Sequence, residues 1–260
     1  MITVDRSKCV ACGSCTRVCP VFIPQLKDGV LHLREGAHCL SCMQCVSVCP
    51  VHALHAEGVP EGLERIPLRP LEANDRKVLE GLVQRRRSMR AFSDAPVERE
   101  LLQAGIDLSQ WCASAKNNHL HRWSVLCGRE TIAPIAALCQ AHSKETGLAP
   151  EVWKQAERGT DLVGRGAAAA VLVSAPEDYY FAAVDPVIAL ATAELYWQAS
   201  GLGTMWSGMF MRFTAANAAI RAACGIEEGY RCCGAMLVGH PAMPPYRSVV
   251  YRPKATIHWV

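Results

Sequence analysis

Eight cysteines near the N-terminus constrain the fold of this 260-residue chain more than any other feature. They form two copies of one pattern, C-x2-C-x2-C-x3-C-P, which start at Cys9 and Cys39. The tight spacing lets the first three thiolates of each copy point at one centre, while the fourth reaches across to the other centre. The two sets of metal ligands predicted in this way are Cys9, Cys12, Cys15 and Cys49, and Cys39, Cys42, Cys45 and Cys19.

The alternative interpretation of these cysteines is a pair of zinc sites with four cysteine ligands each. Such zinc sites usually combine two separated C-x2-C pairs, whereas each copy here has a triplet followed by C-P. The repeat resembles bacterial ferredoxins over residues 1–56. This resemblance implies two 4Fe–4S clusters in a domain that moves single electrons and does no bond chemistry by itself.

Composition limits what the whole chain can be. Half of the residues are hydrophobic and 20% are charged, which excludes a disordered chain. A net charge of +3 argues against nucleic acid as the main partner. No apolar run approaches the ~20 residues of a membrane span, and the first residues lack the apolar core of a secretory signal. We therefore expect a cytoplasmic protein, in which disulfides are disfavoured.

The six remaining cysteines show no ligand spacing and are interpreted as buried core residues. Adjacent Cys232 and Cys233 would point to opposite faces of a strand, so they could not chelate together. The other four are Cys112, Cys127, Cys139 and Cys224.

Residues 57–80 are predicted to connect two domains. Pro60, Pro67 and Pro70 interrupt regular structure there and favour a fairly stiff connector. A helix is expected to begin near Asn74 or Asp75, either of which can cap it.

Residues 81–260 have few predicted strands, separated by helices, which favours a small sheet covered by helices. Helical periodicity appears over residues 97–111, strands are predicted over 122–128, 167–176 and 233–241, and a short helix over 214–225. The clearest element is a central buried helix over residues 185–201, with Asp185 as its N-cap, Pro186 in the first position and Gly201 after its end. Glu194 lies in the middle of this apolar helix and must find a partner.

Four stretches in this half follow one another in a fixed order: "RRRSMRAF" from Arg85, "ASAKNNH" from Ala113, "GLGTMWSG" from Gly201 and "GHPAMPPYRSVVYRP" from Gly239. Together they resemble the FMN-dependent nitroreductase family over about residues 82–255. The resemblance implies an α/β sandwich, a homodimer with FMN at its interface, and a small organic acceptor such as a nitroaromatic or a quinone.

The arginine run by itself could be a solvated basic stretch. The phosphate dianion of FMN, however, calls for arginine forks and hydroxyl donors, which this run and a distant arginine would supply.

The resemblance places a backbone N–H near Gly208 or Met209 at the flavin ring, and Ser114 and Asn117 at the flavin of the opposite subunit. A simple helix-end hydrogen bond is the alternative for Ser114. The predicted FMN contacts are Arg86, Arg87, Ser88, Arg90, Ser114, Asn117, Gly203, Gly208, Met209 and Arg252.

Two positions depart from the family pattern. Ala113 stands where proline is usual, and His119 where glutamine is usual, so His119 is either a residue that alters the flavin face or a satisfied structural histidine. The chain has no G-x-G-x-x-G, which argues against a Rossmann site, although NAD(P)H could still stack on the flavin. No side chain is assigned as a catalytic acid or base, because FMN carries the chemistry.

The two halves together predict an α+β chain in which a ferredoxin-like two-cluster domain over residues 1–56 precedes a nitroreductase-like domain over residues 81–260. Electrons would pass between the clusters and FMN to an organic acceptor, with ferredoxin, flavodoxin or NAD(P)H as the donor. Two alternatives stay open. The enzyme could oxidise its substrate and export electrons through the clusters, or the chain could be an electron carrier or redox sensor without turnover.

Overall fold

The computed structural model describes residues 2–57, 70–243 and 253–260. It consists of two compact units. The N-terminal unit comprises Met1–Pro70 and Ser114–Asn118, and the C-terminal unit comprises Leu71–Ala113 and His119–Val260. Among the described residues, none of the helices combines the length and apolarity that a membrane span requires.

In its described part, the N-terminal unit contains two pairs of short antiparallel strands, two short α-helices and a 3-10 helix over Ala115–Asn117. Its elements are β1 (Ile2–Val4), α1 (Ser14–Val18), β2 (Pro24–Lys27), β3 (Val30–Leu33), α2 (Gln44–Ser47) and β4 (Leu54–Ala56). β1 pairs with β4, and β2 pairs with β3. A small apolar cluster around Ile2, Leu31 and Leu54 contains the buried cysteines Cys15 and Cys45. Each of these two cysteines is the third in its copy of the repeat, so the cores of the two copies are equivalent.

The C-terminal unit contains a four-stranded antiparallel sheet and seven helices in its described part. The strands are β5 (Arg122–Cys127), β6 (Ala169–Pro176), β7 (Gly203–Trp206) and β8 (Tyr230–Gly239), in the spatial order β5-β6-β8-β7. The helices are α3 (Ala73–Arg85), α4 (Arg99–Ser109), α5 (Arg129–Thr146), α6 (Glu151–Ala156), α7 (Asp185–Ala199), α8 (Gly208–Ala216) and α9 (Ala218–Ala223).

Helices cover both faces of this sheet because the two central strands bury side chains on both sides. On β6, Leu172 faces a cluster with Phe210 and Phe213 of α8. Its neighbours Val171 and Val173 face the opposite cluster, with residues of α4 and α7. This alternation is the period-two pattern of a strand that is buried on both faces. The prediction of a small sheet covered by helices is confirmed.

Several predicted elements are present, and three details were wrong. The first is the cap of α3, which is Glu72, so that Asn74 and Asp75 lie inside the helix. The central helix is α7, and Gly201 follows it with a left-handed φ of 85°. Its N-cap, however, is Val184, and the Asp185 carboxylate accepts a hydrogen bond from the Tyr179 hydroxyl at 2.5 Å. The helix predicted over residues 214–225 is two helices, because Asn217 breaks the pattern and caps α9 by accepting from the N–H groups of Ala219 and Ile220.

Adjacent Cys232 and Cys233 lie in different apolar clusters, as the strand assignment predicts. Burial raises the pKa of Cys139 and of Cys224 to about 12, which agrees with the interpretation of both as core residues. Cys112 and Cys127, which were also predicted to be buried, are only half-buried.

Candidate functional site

Four cysteines of the N-terminal unit line one small cavity. Its lining includes Leu31 and Leu54, and its cysteines are Cys9, Cys12, Cys15 and Cys49. Burial raises the pKa of the Cys15 thiol, and the other three cysteines raise it further. The structure thus places the last cysteine of the second copy beside the triplet of the first.

The second set has the reciprocal arrangement. Burial raises the pKa of Cys45 to about 11, and its cysteine neighbours contribute to this increase. Those neighbours are Cys19, Cys39 and Cys42. Both sets offer four soft thiolates, the donors that suit an iron–sulfur cluster.

The backbone around the two sets follows the same thirty-residue repeat as the cysteines. Ala11 and Ser41 both have a left-handed φ, of 53° and 50°, although each carries a Cβ. Such a conformation costs roughly 1–2 kcal/mol per residue, so its recurrence at equivalent positions indicates a loop shape that the site requires.

The fourth cysteine of each copy also accepts a backbone hydrogen bond on its sulfur. The N–H of Ile23 donates to Cys19 Sγ at 3.4 Å, and the N–H of Ala53 donates to Cys49 Sγ at 3.2 Å. Hydrogen bonds of this kind stabilise thiolate charge and set the reduction potential of a bound cluster. The residues therefore fit two iron–sulfur clusters.

In the C-terminal unit, the arginine run is fixed against the sheet. α3 ends at Arg85, and the chain then runs beside β7, where the N–H of Met89 donates to the carbonyl of Thr204 at 2.8 Å. Further along, Phe92 pairs with Pro241 and is only 8% exposed. The backbone of the run is therefore anchored in the fold.

Arg86 takes part in a buried polar network. Its Nη1 atom lies 3.5 Å from Oε1 of Glu194, which is the partner that this glutamate requires. Glu194 also accepts from Thr204 Oγ1 at 2.9 Å and from Trp206 Nε1 at 3.0 Å. The Arg86 side chain is 34% exposed, so part of its guanidinium remains accessible.

The other residues of the run lie beside Arg86. Arg87 Nη1 donates to the carbonyl oxygens of Gln84 and Arg86, both at 2.7 Å, and Arg90 Nη1 donates to the carbonyl of Ser88 at 3.2 Å. Ser88 itself forms a parallel bridge with Thr204. These contacts hold the charged side chains along the run, where they form a basic strip next to β7.

The start of α8 provides a second group of donors. Ser207 Oγ accepts from the N–H of Phe210, whereas the N–H groups of Gly208 and Met209 are first-turn donors without intrahelical acceptors. An added Cβ at Gly208 would meet nothing within 4 Å, so a ligand can approach the backbone there. At Gly203, by contrast, a Cβ would meet Met89 Cγ at 2.8 Å, so the missing side chain serves packing.

These two groups of donors are joined by β7. Thr204, which contacts the arginine run, and Gly208 are separated by about 13 Å at most, given the rise of an extended strand. A guanidinium, a basic strip and a helix N-terminus over such a distance suit an anionic group attached to a planar ring. The residues of the C-terminal unit therefore fit FMN.

Two of the predicted contacts belong to the N-terminal unit, and a third is not described. Ser114 and Asn117 belong to the segment that is part of the N-terminal unit, where Asn117 Nδ2 donates to the carbonyl of Leu40 at 3.1 Å. Arg252 lies outside the described residues. The roles of these residues at FMN stay predictions.

Sequence reasoning missed a row of rings that leads into β5, in which His121 is buried and the other two are half-buried. His119, His121 and Trp123 stack edge to face, with ring centroids 5.9 Å and 5.8 Å apart. Burial lowers the pKa of His121 and His119 lowers it further, while Asp185 opposes both effects. The signal for this row was the alternation of the three rings, which places them on one face of an extended segment.

Comparison with known proteins gives the family. Residues 83–240 match the model of the nitroreductase family, and residues 8–54 match the model of a 4Fe-4S dicluster domain. No curated protein matches the chain.

Solved structures share the fold of the C-terminal unit. A nitroreductase with bound FMN from Bacteroides fragilis NCTC 9343 has a TM-score of 0.60 and 19% identity, covering 71% of this chain and 98% of its own. One from Desulfitobacterium hafniense DCB-2, also with bound FMN, has a TM-score of 0.58 and 24% identity, covering 70% and 97%. The FMN and NADPH-dependent nitroreductase NfnB from sphigopyxis sp. strain HMH has a TM-score of 0.54 and 19% identity, covering 70% and 98%.

The dicluster match gives the N-terminal region two 4Fe–4S clusters, and the nitroreductase match makes the rest of the chain an FMN-dependent oxidoreductase. Because the nitroreductase model covers more than half of the chain, this protein belongs to the nitroreductase family and carries a 4Fe-4S dicluster domain ahead of its nitroreductase domain.

Proposed function

We propose that this chain is an iron–sulfur flavoprotein that passes electrons between two 4Fe–4S clusters and FMN, and that it reduces a small organic acceptor such as a nitroaromatic or a quinone. Residues 1–56 form the cluster domain, residues 57–80 the connector and residues 81–260 the flavin domain. The observation that carries the proposal is the presence, in one chain, of two crossed sets of four thiols and an arginine run anchored beside a helix N-terminus. When bound, the clusters supply single-electron transfer and FMN supplies two-electron chemistry.

The residues of the flavin domain bind and orient the cofactor. Arg86, Ser88 and Arg252 hold the phosphate, because a dianion is best recognised by guanidinium forks and hydroxyls. Arg87 and Arg90 supply positive charge along the ribityl chain or ring edge. The first N–H groups of α8 donate to the flavin ring, and the open space at Gly208 allows the approach.

A homodimer would complete this site, with Ser114 and Asn117 contributed by the opposite subunit. An apolar face on α3 supports the proposal, because none of the side chains of this helix is buried against the part of the chain that the structure describes. Val78, Leu79 and Val83 are 55%, 55% and 54% exposed and recur at helical spacing. A second copy of the chain that covers this face would remove these side chains from water.

The cofactor content of anaerobically purified protein tests the proposal. We expect about eight iron and eight acid-labile sulfide per chain, from two four-iron clusters, together with one FMN. Stoichiometric zinc without the visible absorption of iron–sulfur centres would overturn the cluster assignment.

The Arg86→Ala variant tests the flavin site separately. It should lose FMN and keep its iron, because it removes a charge-assisted phosphate contact of ~1.5–3 kcal/mol. Arg158→Ala is a suitable control, since this arginine lies on the surface beyond the end of α6. Full flavin retention in Arg86→Ala would contradict the assignment of the phosphate site.

A further inference from the structure

The carboxylate of Glu194 is a charged group in an apolar setting. Its residue is 4% exposed, and its helix packs Leu190, Ala193 and Trp197 into one apolar cluster. Burying an ionised carboxylate among such side chains is costly unless it is paired and hydrogen-bonded. A leucine or methionine in this position would satisfy the packing of α7 without this cost, so the charge calls for an explanation in terms of its partners.

Two donors from β7 fix the carboxylate in place. Trp206 Nε1 donates to Oε2, and Thr204 Oγ1 donates to Oε1. The direction of the second bond is set by Gln198, whose Nε2 donates to Thr204 Oγ1 at 2.6 Å. Because the threonine oxygen accepts from Gln198, its single hydrogen is directed at Glu194. The carboxylate is therefore held by its neighbours before any contact with Arg86 is considered.

Arg86 meets this fixed carboxylate with only part of its guanidinium. Nη1 lies 3.5 Å from Oε1, and about a third of the side chain stays exposed. A guanidinium has five N–H donors in a rigid fork, so a contact through Nη1 leaves another edge for a second anion. A carboxylate that cannot move thus restricts the rotamers of Arg86 and sets the direction of the free edge.

We propose that Glu194 is a positioning residue, which orients Arg86 so that its free edge is presented to the FMN phosphate. The inference rests on the proposed function, in which Arg86 binds this phosphate. The opposite role, in which Glu194 competes with the phosphate for Arg86, is argued against by the free edge of the guanidinium, since Arg86 can contact the phosphate without leaving the carboxylate.

A double-mutant cycle on FMN affinity tests this role. The full-length protein is freed of FMN and titrated with FMN by flavin fluorescence, in the wild type, Glu194→Gln, Arg86→Ala and the double variant. Glutamine has nearly the same size, but its amide must place a donor against the donors that now face the carboxylate. We expect Glu194→Gln to weaken FMN binding by about tenfold, as for a lost hydrogen bond to a charged group. In the Arg86→Ala background the same change should have almost no effect.

Thr204→Val provides a second variant, since it removes one of the two fixing donors and keeps the shape of the side chain. It should weaken FMN binding less than Glu194→Gln, and again only when Arg86 is present. Glu157→Gln is the matched control, because that glutamate pairs with Lys144 on the surface and is 56% exposed. Its FMN affinity should equal that of the wild type. Thermal midpoints of the FMN-free variants record any general loss of stability.

The outcomes separate the possible roles of Glu194. An equal loss of affinity in both backgrounds would show that Glu194 acts only through general stability, and tighter FMN binding in Glu194→Gln would show that it competes for Arg86. Either result overturns the inference while leaving the flavin site intact. If Arg86→Ala binds FMN like the wild type, the proposed phosphate site is wrong, and the inference falls with it.

Discussion

Two buried polar residues of the C-terminal unit, Glu194 and His121, differ in whether their polar atoms have hydrogen-bond partners. Glu194 has three donors around it, whereas both ring nitrogens of His121 are buried without a hydrogen-bond partner among the described residues. An unsatisfied buried polar group costs about 1–3 kcal/mol. The need of Glu194 for a partner could be predicted from its apolar neighbours on the helix. The identity of this partner could not be predicted, because Arg86 is 108 residues away in the sequence and contacts Glu194 only in the folded chain.

Acid sensitivity of the fold is the prediction that follows from His121. Because its folded-state pKa is lowered, the unfolded chain binds the proton more readily than the folded one. Stability contributed by the neutral ring is therefore present above the unfolded-state pKa of ~6.5 and is lost as the pH falls below it. His121→Phe should keep the edge-to-face contacts, raise stability by about 1 kcal/mol and reduce the loss between pH 7.5 and 5.5.

Thermal midpoints followed by tryptophan fluorescence across this pH range measure the effect. His258→Phe serves as the control, since that histidine is exposed and should leave the pH profile unchanged. A profile for His121→Phe that runs parallel to the wild type would show that His121 does not account for the acid sensitivity.

At the scale of elements, close approach of α4 to α7 depends on one glycine. A Cβ at Gly105 would lie 2.3 Å from Nε1 of Trp197, which is fully buried and donates to the carbonyl of Leu102 at 3.3 Å. Alanine normally stabilises a helix relative to glycine by about 0.5–1 kcal/mol. At Gly105 the cost of overpacking exceeds this gain, since forcing atoms into a filled core costs about 1–3 kcal/mol.

Gly105→Ala should therefore lower the thermal midpoint, whereas Gly81→Ala should raise it slightly. Gly81 lies inside α3, and a Cβ there would meet nothing within 4 Å. The two variants make the same chemical change in two helices, so opposite signs isolate the contact with Trp197. A stabilised Gly105→Ala would mean that α4 and α7 pack less closely than described.

The apolar face of α3 gives a prediction about assembly. Leu79→Glu and Val83→Glu together should turn a dimer into a monomer, because they place charge on the face that a second copy would cover. Light scattering coupled to size exclusion measures the mass, and Lys77→Glu, on an exposed position of the same helix, is the control. A variant that remains dimeric would show that α3 lies outside the interface.

Which elements could be predicted depends on how much of their pattern is local. β6 was predictable because eight residues in a row are apolar or small and end at Pro176. β7 was missed, since its four residues follow a glycine turn and form a strand only by pairing with β8. The break at Asn217 was missed because alanines on both sides favour a helix, while the capping bonds from the Asn217 side chain favour a new start.

At the scale of the whole molecule, the eight-cysteine repeat lies in the N-terminal unit, whereas the ordered motifs are divided between the two units. The crossed grouping of cysteines could be predicted from spacing, since each triplet and its distant fourth member repeat after thirty residues. That Ser114–Asn118 belongs to the N-terminal unit could not be predicted, because this segment lies between α4 and β5 in the sequence.

The central claim, that electrons pass between the clusters and FMN, is tested most directly by paired anaerobic rates with reduced ferredoxin and with NAD(P)H as donors. Cys12→Ser and Cys42→Ser each remove one ligand from a different set, and both variants should retain FMN that dithionite can reduce. On protein of matched flavin content, we predict that each variant loses most of its ferredoxin-linked turnover of the acceptor and keeps any NAD(P)H-linked turnover. Ferredoxin-linked rates equal to those of the wild type after loss of a cluster would contradict the account.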